Sequence, residues 1–169
     1  MKSIFCAGKF NLNKDKSLSL NERLKEDYRV YLLKDINKFI YSNKDSIILG
    51  KFKYNGTFYC EKAINGEYTS TVCKTVLNEE FDAVSKSDIF LAIFDESFSV
   101  GTIVELNWAV NLNKKIIICF KNDENSVYDI KSEYWFAIAD ALKRGKDVKV
   151  FSYKTKEELL DLLLNKKIF

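Results

Sequence analysis

SDIFLAIFDESFSVGTIVELNWAVNLNKKIIICF, residues 87–120, is the stretch of sequence that decides the fold of this chain. Its two nearly continuous apolar runs, Ile89–Phe94 and Lys115–Phe120, are typical of strands that are buried on both faces of a sheet. Between them lie a short polar loop and a predicted helix over Thr102–Asn113. A strand, a helix and a second buried strand make up the unit from which parallel sheets are built, so this stretch predicts an α/β protein.

The same alternation continues on both sides of this stretch. Further strands are predicted over short apolar runs, at Ser3–Ala7, Ser46–Leu49 and Val148–Phe151. Helical spacing of apolar residues predicts four more helices, at Leu20–Tyr41, Val72–Lys86, Ser132–Arg144 and Lys154–Leu164. The sequence therefore predicts a five-stranded parallel, doubly wound, flavodoxin-like three-layer sandwich. Since no repeat or linker interrupts the pattern, residues 1–169 are expected to form a single domain.

One segment, Lys51–Thr71, does not fit this alternation. It contains two Asn-Gly pairs, Asn55-Gly56 and Asn65-Gly66, which are strong hairpin signals, among several Tyr and Phe residues. Two interpretations remain open at this point: a surface excursion with one or two turns, or a flap over a ligand crevice.

The composition excludes several classes of protein. Apolar residues make up 47% of the chain and charged residues 30%, as in soluble globular proteins. A net charge of +3, from 27 basic and 24 acidic residues, is too balanced to indicate nucleic-acid binding. No apolar run approaches the ~18 residues of a membrane span, and the N-terminal apolar run is too short for a signal peptide. We therefore expect a cytoplasmic protein with reduced thiols.

The chain has no His, which excludes Ser-His-Asp and Cys-His nucleophile systems and His-ligated metals. Acid–base chemistry must then come from Asp, Glu, Tyr, Lys or Cys. None of the four Cys forms a C-x-x-C pair, so no metal site is predicted. Cys6 and Cys119 lie in apolar strand runs and are predicted to be small core residues.

The loops that follow the strands are the candidate binding site, because ligands of open α/β sheets bind at the carboxyl ends of the strands. Gly8 ends the first strand and permits close approach of a ligand to the backbone. Phe10 either stacks on a flat ring or folds into the core. Ser99, Gly101 and Thr102 follow the third strand, where hydroxyls and a helix N-terminus attract anions. Simple N-capping by Ser or Thr is the alternative.

Glu105 has two interpretations. Thr102-Ile103-Val104-Glu105 matches the capping box S/T-x-x-E, in which the Glu reaches back to the cap residue. A carboxylate in the first turn of a helix at the crevice, flanked by apolar residues, is alternatively a nucleophile.

A second acidic cluster precedes the third strand and consists of Glu79, Glu80, Asp82 and Asp88. Charged residues on a helix are usually solvated, and we expect this of at least two of the four. In the chemical interpretation, one of them meets Glu105 across the crevice as a proton donor. Two carboxylates that flank a glycosidic bond are a known arrangement for glycosyl chemistry.

These residues resemble the nucleoside 2-deoxyribosyltransferase family, which includes the related nucleoside 5′-monophosphate N-hydrolases. Three features match in order. They are a strand that runs into Ala7-Gly8 and Phe10, an acidic residue eight positions before Asp88, and a Gly–Thr–x–x–Glu–Leu–x–x–Ala block. The block is the specific feature, and it comprises Gly101, Thr102, Glu105, Leu106 and Ala109.

The resemblance implies roles for these residues. Glu105 would be the nucleophile that attacks the anomeric carbon of the sugar, and Glu80 would protonate the leaving base. Residues 99–102 would hold the sugar and its 5′ end, and Phe10 would lie near the base. The ligand would be a small-molecule nucleoside or nucleotide, not a nucleic acid or a membrane, and no metal or cofactor would be required. Members of the family are usually homo-oligomers that complete one subunit's site from a neighbour.

Departures from the family pattern affect the expected substrate. The family usually has Asp where this chain has Glu80, and Asp82 is an alternative for that role. Transferases of free nucleosides carry Asp at the position of Ser99, whereas Ser resembles the N-hydrolases. Because a carboxylate would repel a phosphate, Ser99 favours a phosphorylated substrate. The resemblance therefore implies transfer of a 2-deoxyribosyl group to another base, or alternatively hydrolysis of a deoxynucleoside 5′-monophosphate. A non-catalytic nucleotide-sensing module is the second alternative.

Overall fold

The computed structural model describes residues 2–8, 52–54, 69–94, 99–122, 132–164 and 168. From residue 52 onward, strands and helices alternate within these ranges. In chain order they are β1 (Lys2–Gly8), β2 (Phe52–Tyr54), α1 (Ser70–Lys86), β3 (Ile89–Phe94), α2 (Val100–Asn111), β4 (Lys115–Lys121), α3 (Ser132–Arg144), β5 (Asp147–Tyr153) and α4 (Lys156–Leu164).

The described strands form one parallel sheet with the order β2-β1-β3-β4-β5. Four of them, β1, β3, β4 and β5, make up the body of the sheet. The predicted α/β class with a parallel sheet is confirmed, and the order is consistent with a flavodoxin-like fold.

The edge of the sheet beside β1 differs from the prediction. The predicted strand Ser46–Leu49 and the predicted helix Leu20–Tyr41 lie outside the described residues. The three residues of β2, at 52–54, pair with β1 although they belong to the segment predicted as an excursion or flap. The Asn-Gly pairs in this segment predict turns, whereas the alternation of Phe, Lys and Tyr at 52–54 is typical of a short edge strand.

Helices cover both faces of the sheet, because successive residues of a strand point to opposite sides. Phe90, Ala92 and Phe94 of β3 belong to a core cluster with α1, α2 and α3. The alternate residues Ile89, Leu91 and Ile93 belong to a second cluster with α4. The predicted layering, with helices on both sides of the strands, is therefore observed.

Helix α2 begins two residues earlier than predicted. Ser99 is its N-cap, with an extended backbone at φ −132° and ψ 100°. The helix ends in a Schellman turn, in which the Lys114 N–H donates to the Ala109 carbonyl at 3.0 Å and the Asn113 N–H donates to the Val110 carbonyl at 3.0 Å. Asn113 takes the left-handed conformation of this turn, at φ 53°, which Asn tolerates better than most residues.

The prediction that Cys6 and Cys119 are core residues is confirmed. Both are buried in the cluster on the α4 side of the sheet. Burial, with a smaller contribution from Cys6, raises the pKa of the Cys119 thiol to about 12, so this thiol is inert at neutral pH. Cys73 on α1 is exposed and is an accessible site for chemical labelling.

Candidate active site

The candidate site lies where the strand order reverses. β1 has β2 on one side and β3 on the other, and ligands of open parallel sheets bind at such a switch point, beyond the carboxyl ends of the strands. Gly8 is buried, ends β1 and lies opposite Ile93 of β3. Ser99 follows β3 and begins α2. The structure therefore brings Gly8 and the first residues of α2 to one edge of the sheet, whereas Phe10 lies outside the described residues.

The N-terminus of α2 is held by two hydroxyl groups. The Thr102 N–H donates to Ser99 Oγ at 3.4 Å, and Ser99 Oγ lies 2.9 Å from Thr102 Oγ1. Thr102 is only 1% exposed, whereas Ser99 is half-buried. The half-buried Ser99 hydroxyl is thus held at the cap of α2 by its contacts with the Thr102 N–H and the Thr102 hydroxyl.

The capping-box interpretation of Glu105 is wrong. That motif requires Thr102 to be the N-cap and Glu105 to be the third helical residue. Because Ser99 is the N-cap, Thr102 takes the third position, and Glu105 is the sixth residue of α2. The expectation that Glu105 lies in the first turn is also corrected, since the first turn of α2 contains no acidic residue.

Glu105 lies beside the buried stripe of α2. Thr102 and Ala109, one turn before and one turn after it, are buried against the rest of the protein, as is the next residue, Leu106. Glu105 itself is half-buried. A carboxylate on the inner side of a helix, partly screened from water, has the setting that a nucleophile or electrostatic stabiliser needs.

The four acidic residues that precede β3 differ in their exposure to solvent. Glu79, Asp82 and Asp88 are exposed, which confirms the prediction that at least two of the four residues are solvated. Asp82 also forms an ion pair with Lys86 along the outside of α1, at 3.4 Å. Glu80 is half-buried and precedes the buried Val84 by one turn, so it lies on the inner side of α1.

A ring contact brings the helices of Glu80 and Glu105 into register. Phe81 of α1 and Trp108 of α2 pack edge to face, with centroids 5.3 Å apart and planes at 86°. Both helices run antiparallel to the strands and hence parallel to each other. Glu80 adjoins Phe81, and Glu105 precedes Trp108 by three residues. The two carboxylates therefore lie within about one helical turn, ~5 Å, of the same height along the helix pair.

Gly101 leaves open space at the mouth of the site. A Cβ atom built on Gly101 meets no heavy atom within 4 Å among the described residues outside its own helix and its chain neighbours. Gly145 offers the contrast, because a Cβ there collides with the Val148 side chain and lies 2.7 Å from the Ala141 carbonyl oxygen. Packing thus requires glycine at position 145 but not at position 101.

Replacing Gly101 by Ala is expected to keep or raise the free energy of unfolding, by up to about 1 kcal/mol, because Ala favours a helix over Gly. If a ligand approaches the backbone here, the added methyl group should raise KM about tenfold, or ~1.4 kcal/mol. Thermal denaturation and steady-state kinetics check both effects. Gly145→Ala is the control that should lose stability; an unchanged KM in Gly101→Ala would remove Gly101 from the binding surface.

Trp108, Phe81 and Lys114 connect α1 and α2, and these contacts were not predicted from the sequence. The only local signal is the i, i+3 spacing of Glu105 and Trp108. Phe81 lies 27 residues before Trp108 in the chain, and Ser85 lies 29 residues before Lys114.

In the described part of the chain, no three His, Cys, Asp or Glu residues form a group that could hold a metal ion. No helix in the same ranges is long and apolar enough to cross a membrane.

Comparison with known proteins supports the class of fold. No protein-family model and no curated protein matches the chain. Among solved structures, the chain resembles the CMP N-glycosidase BcmB of Clostridium botulinum, with 20% identity over 96% of this chain and 97% of that one, at a TM-score of 0.54. It also resembles the solution structure of BlsM, with 20% identity over 98% of this chain and 90% of that one, at a TM-score of 0.55. At this level of identity, the similarity is one of fold.

Proposed function

We propose that this protein cleaves the N-glycosidic bond of a nucleoside or nucleotide, with Glu105 as nucleophile and Glu80 as proton donor. The observation that carries the proposal is the pair of half-buried glutamates on neighbouring parallel helices beside the switch point of the sheet. The scaffold is proposed to be a five-stranded flavodoxin-like sheet within a single domain. The resemblance of Gly101, Thr102 and Glu105 to a deoxyribosyltransferase motif and the fold of a CMP N-glycosidase support the same reaction class.

The reaction needs two steps. In the first, a Glu105 carboxylate oxygen bonds to the anomeric carbon while the bond to the base breaks, and the Glu80 proton passes to the departing base nitrogen. In the second, an acceptor attacks the same carbon, its proton passes to the Glu80 carboxylate, and the bond to Glu105 breaks. Two carboxyl groups that exchange the roles of acid and base in this way are typical of retaining glycosyl chemistry.

Water is the acceptor that the observations favour. Ser99 presents a neutral hydroxyl at the N-terminus of α2, where a carboxylate would repel a 5′-phosphate. A structural neighbour with nearly full coverage of both chains is itself an N-glycosidase of a nucleotide. Transfer to a second base, giving a 2-deoxyribosyltransferase, is the other candidate, because the Gly–Thr–x–x–Glu–Leu–x–x–Ala block of α2 resembles that family.

The test is to incubate the protein with deoxynucleosides, deoxynucleoside 5′-monophosphates and CMP, with and without a second free base. Chromatography is expected to detect free base released from monophosphates in the absence of any acceptor base. Exchange that appears only when a second base is present would establish the transferase. Binding of nucleotides by calorimetry without release of base would instead identify a sensing module.

Two further properties stay predictions from the sequence. The first is a cytoplasmic location with reduced thiols. The family resemblance predicts a homo-oligomer, which light scattering on the purified chain would detect.

A further inference from the structure

We propose that Trp108 and Lys114 are positioning residues that lock α2 onto α1 and so set the height of Glu105 relative to Glu80. The inference rests on the proposed function for its chemical consequence, but its structural part can be tested separately. Neither residue belongs to the motif by which the chain resembles glycosyl-transferring enzymes.

The first point of attachment is the ring contact. Trp108 is half-buried, and its ring packs edge to face with the ring of Phe81. The ring planes meet at 86°, and the centroids are 5.3 Å apart. Edge-to-face pairs contribute stabilisation beyond the area they bury, and their rings prefer this defined geometry. The contact lies one turn below Glu105 and next to Glu80, so a shift at the rings moves both carboxylates.

The second point of attachment lies at the lower end of the two helices. Lys114 is the last residue of the Schellman turn of α2, and its Nζ donates to the Ser85 carbonyl oxygen at 2.6 Å. Ser85 is in the last turn of α1, where carbonyl groups lack partners within the helix and attract cations. Lys114 is half-buried at this contact.

Two attachments at different heights control the register of one helix on another. Core packing of Leu106 and Ala109 holds α2 in the core cluster. The contacts at Trp108 and Lys114 add two fixed points directly against α1, which oppose sliding and rotation of one helix on the other. Glycosyl chemistry is sensitive to such movement, because a difference of only a few Å between two carboxyl groups distinguishes one mechanism from another. A misplacement of about 1 Å can lower a catalytic rate about 100-fold.

The opposite side of α2 provides a matched control. Arg144 of α3 donates to Asn107 Oδ1 at 2.7 Å and to Asn111 Oδ1 at 2.9 Å, and it also contacts Asp140. These bonds tie α2 to α3 without touching α1. Arg144→Met therefore removes these two hydrogen bonds to α2 while leaving the attachments to α1 in place.

The kinetic test compares Trp108→Leu, Lys114→Met and Arg144→Met on a deoxynucleoside 5′-monophosphate. We expect kcat to fall at least tenfold in the first two variants, with KM changed less than twofold, and kcat to stay within twofold in the third. Trp108→Phe and Lys114→Arg, which preserve a ring and a cation, should recover most of kcat. Equal losses in all three variants, or a rise in KM without loss of kcat, would overturn the positioning role.

A structural test does not depend on activity. Cys73 on α1 and Val100 on α2 are exposed and precede Phe81 and Trp108 by eight residues each, so they lie at the same height. Spin labels at Cys73 and at Val100→Cys report the distance between the helices. Cys60, the remaining cysteine of the sequence, is replaced by Ser in all variants so that it takes no label. Trp108→Leu should shift or broaden the distance distribution, and Arg144→Met should not. If Trp108→Leu does not fold, Lys114→Met provides the same comparison.

The two tests separate the possible failures. If the wild-type protein turns over no nucleotide but Trp108→Leu shifts the label distances, the proposed function fails while the control of register stands. If the wild-type protein is active and the label distances do not respond to Trp108→Leu or Lys114→Met, the inference fails while the proposed function stands.

Discussion

Glu105→Gln is expected to lower kcat for nucleotide cleavage on the order of 10⁴-fold, because a neutral amide cannot form the bond to the anomeric carbon. The free energy of unfolding should change by no more than about 1 kcal/mol, since Gln has nearly the same shape and Glu105 is only half-buried. Steady-state release of base and chemical denaturation measure the two quantities. Nucleotide binding, measured by calorimetry, should persist.

The matched control for this prediction is Glu79→Gln, which removes an exposed carboxylate from α1. It should leave kcat, KM and stability unchanged. Mass spectrometry of the quenched wild-type reaction should also find the sugar attached to the peptide that contains Glu105. A Glu105→Gln variant that keeps more than a tenth of the wild-type kcat would show that Glu105 is not the nucleophile.

Glu80→Gln is expected to lower kcat by about 10² to 10⁴-fold for substrates whose base must be protonated as it leaves. Gln keeps the hydrogen-bonding shape but cannot transfer a proton to the base. The loss should be much smaller for a nucleotide analogue with a leaving group that needs no protonation. Rates for the two kinds of substrate, compared in wild type and variant, measure the effect.

Asp82→Asn is the control for Glu80, because Asp82 is exposed and paired with Lys86 on the outer side of α1. It should leave kcat within about twofold, as expected for a solvated surface residue. The reverse pattern, with a large loss in Asp82→Asn and none in Glu80→Gln, would transfer the proton-donor role to Asp82. Equal loss for both kinds of leaving group would argue against an acid role for Glu80.

The central strands could be predicted, because strands that are buried on both faces of a sheet appear in the sequence as short, nearly continuous apolar runs. The predicted strand Ile89–Phe94 and the predicted helix Ser132–Arg144 have the observed boundaries. The start of α2 could not be predicted as well, because Ser97, Ser99 and Thr102 all have side chains that can cap a helix. The structure selects Ser99, whose extended backbone and whose hydroxyl, which accepts from the Thr102 N–H, make it the N-cap.

The candidate site was predicted only in part. The family resemblance singled out Glu105 and Glu80 as candidates, but the residues alone did not separate Glu80 from Glu79 or Asp82. The packed helix does so, because Glu80 shares the inner side of α1 with Val84, whereas Glu79 and Asp82 are exposed. The contact between Phe81 and Trp108 had no sequence signal, because either ring could equally have packed on the sheet.

By itself, the sequence determined the alternation of buried strands and helices and the edge of the sheet at which polar and acidic residues gather. These features depend on local patterns of apolar residues and on the rule that parallel strands present their carboxyl ends together. Only the tertiary structure decided that Ser99 caps α2, that Glu105 lies beyond its first turn, and that Glu80 faces inward at the same height. Those outcomes depend on how one helix packs against another, through contacts between residues far apart in the chain.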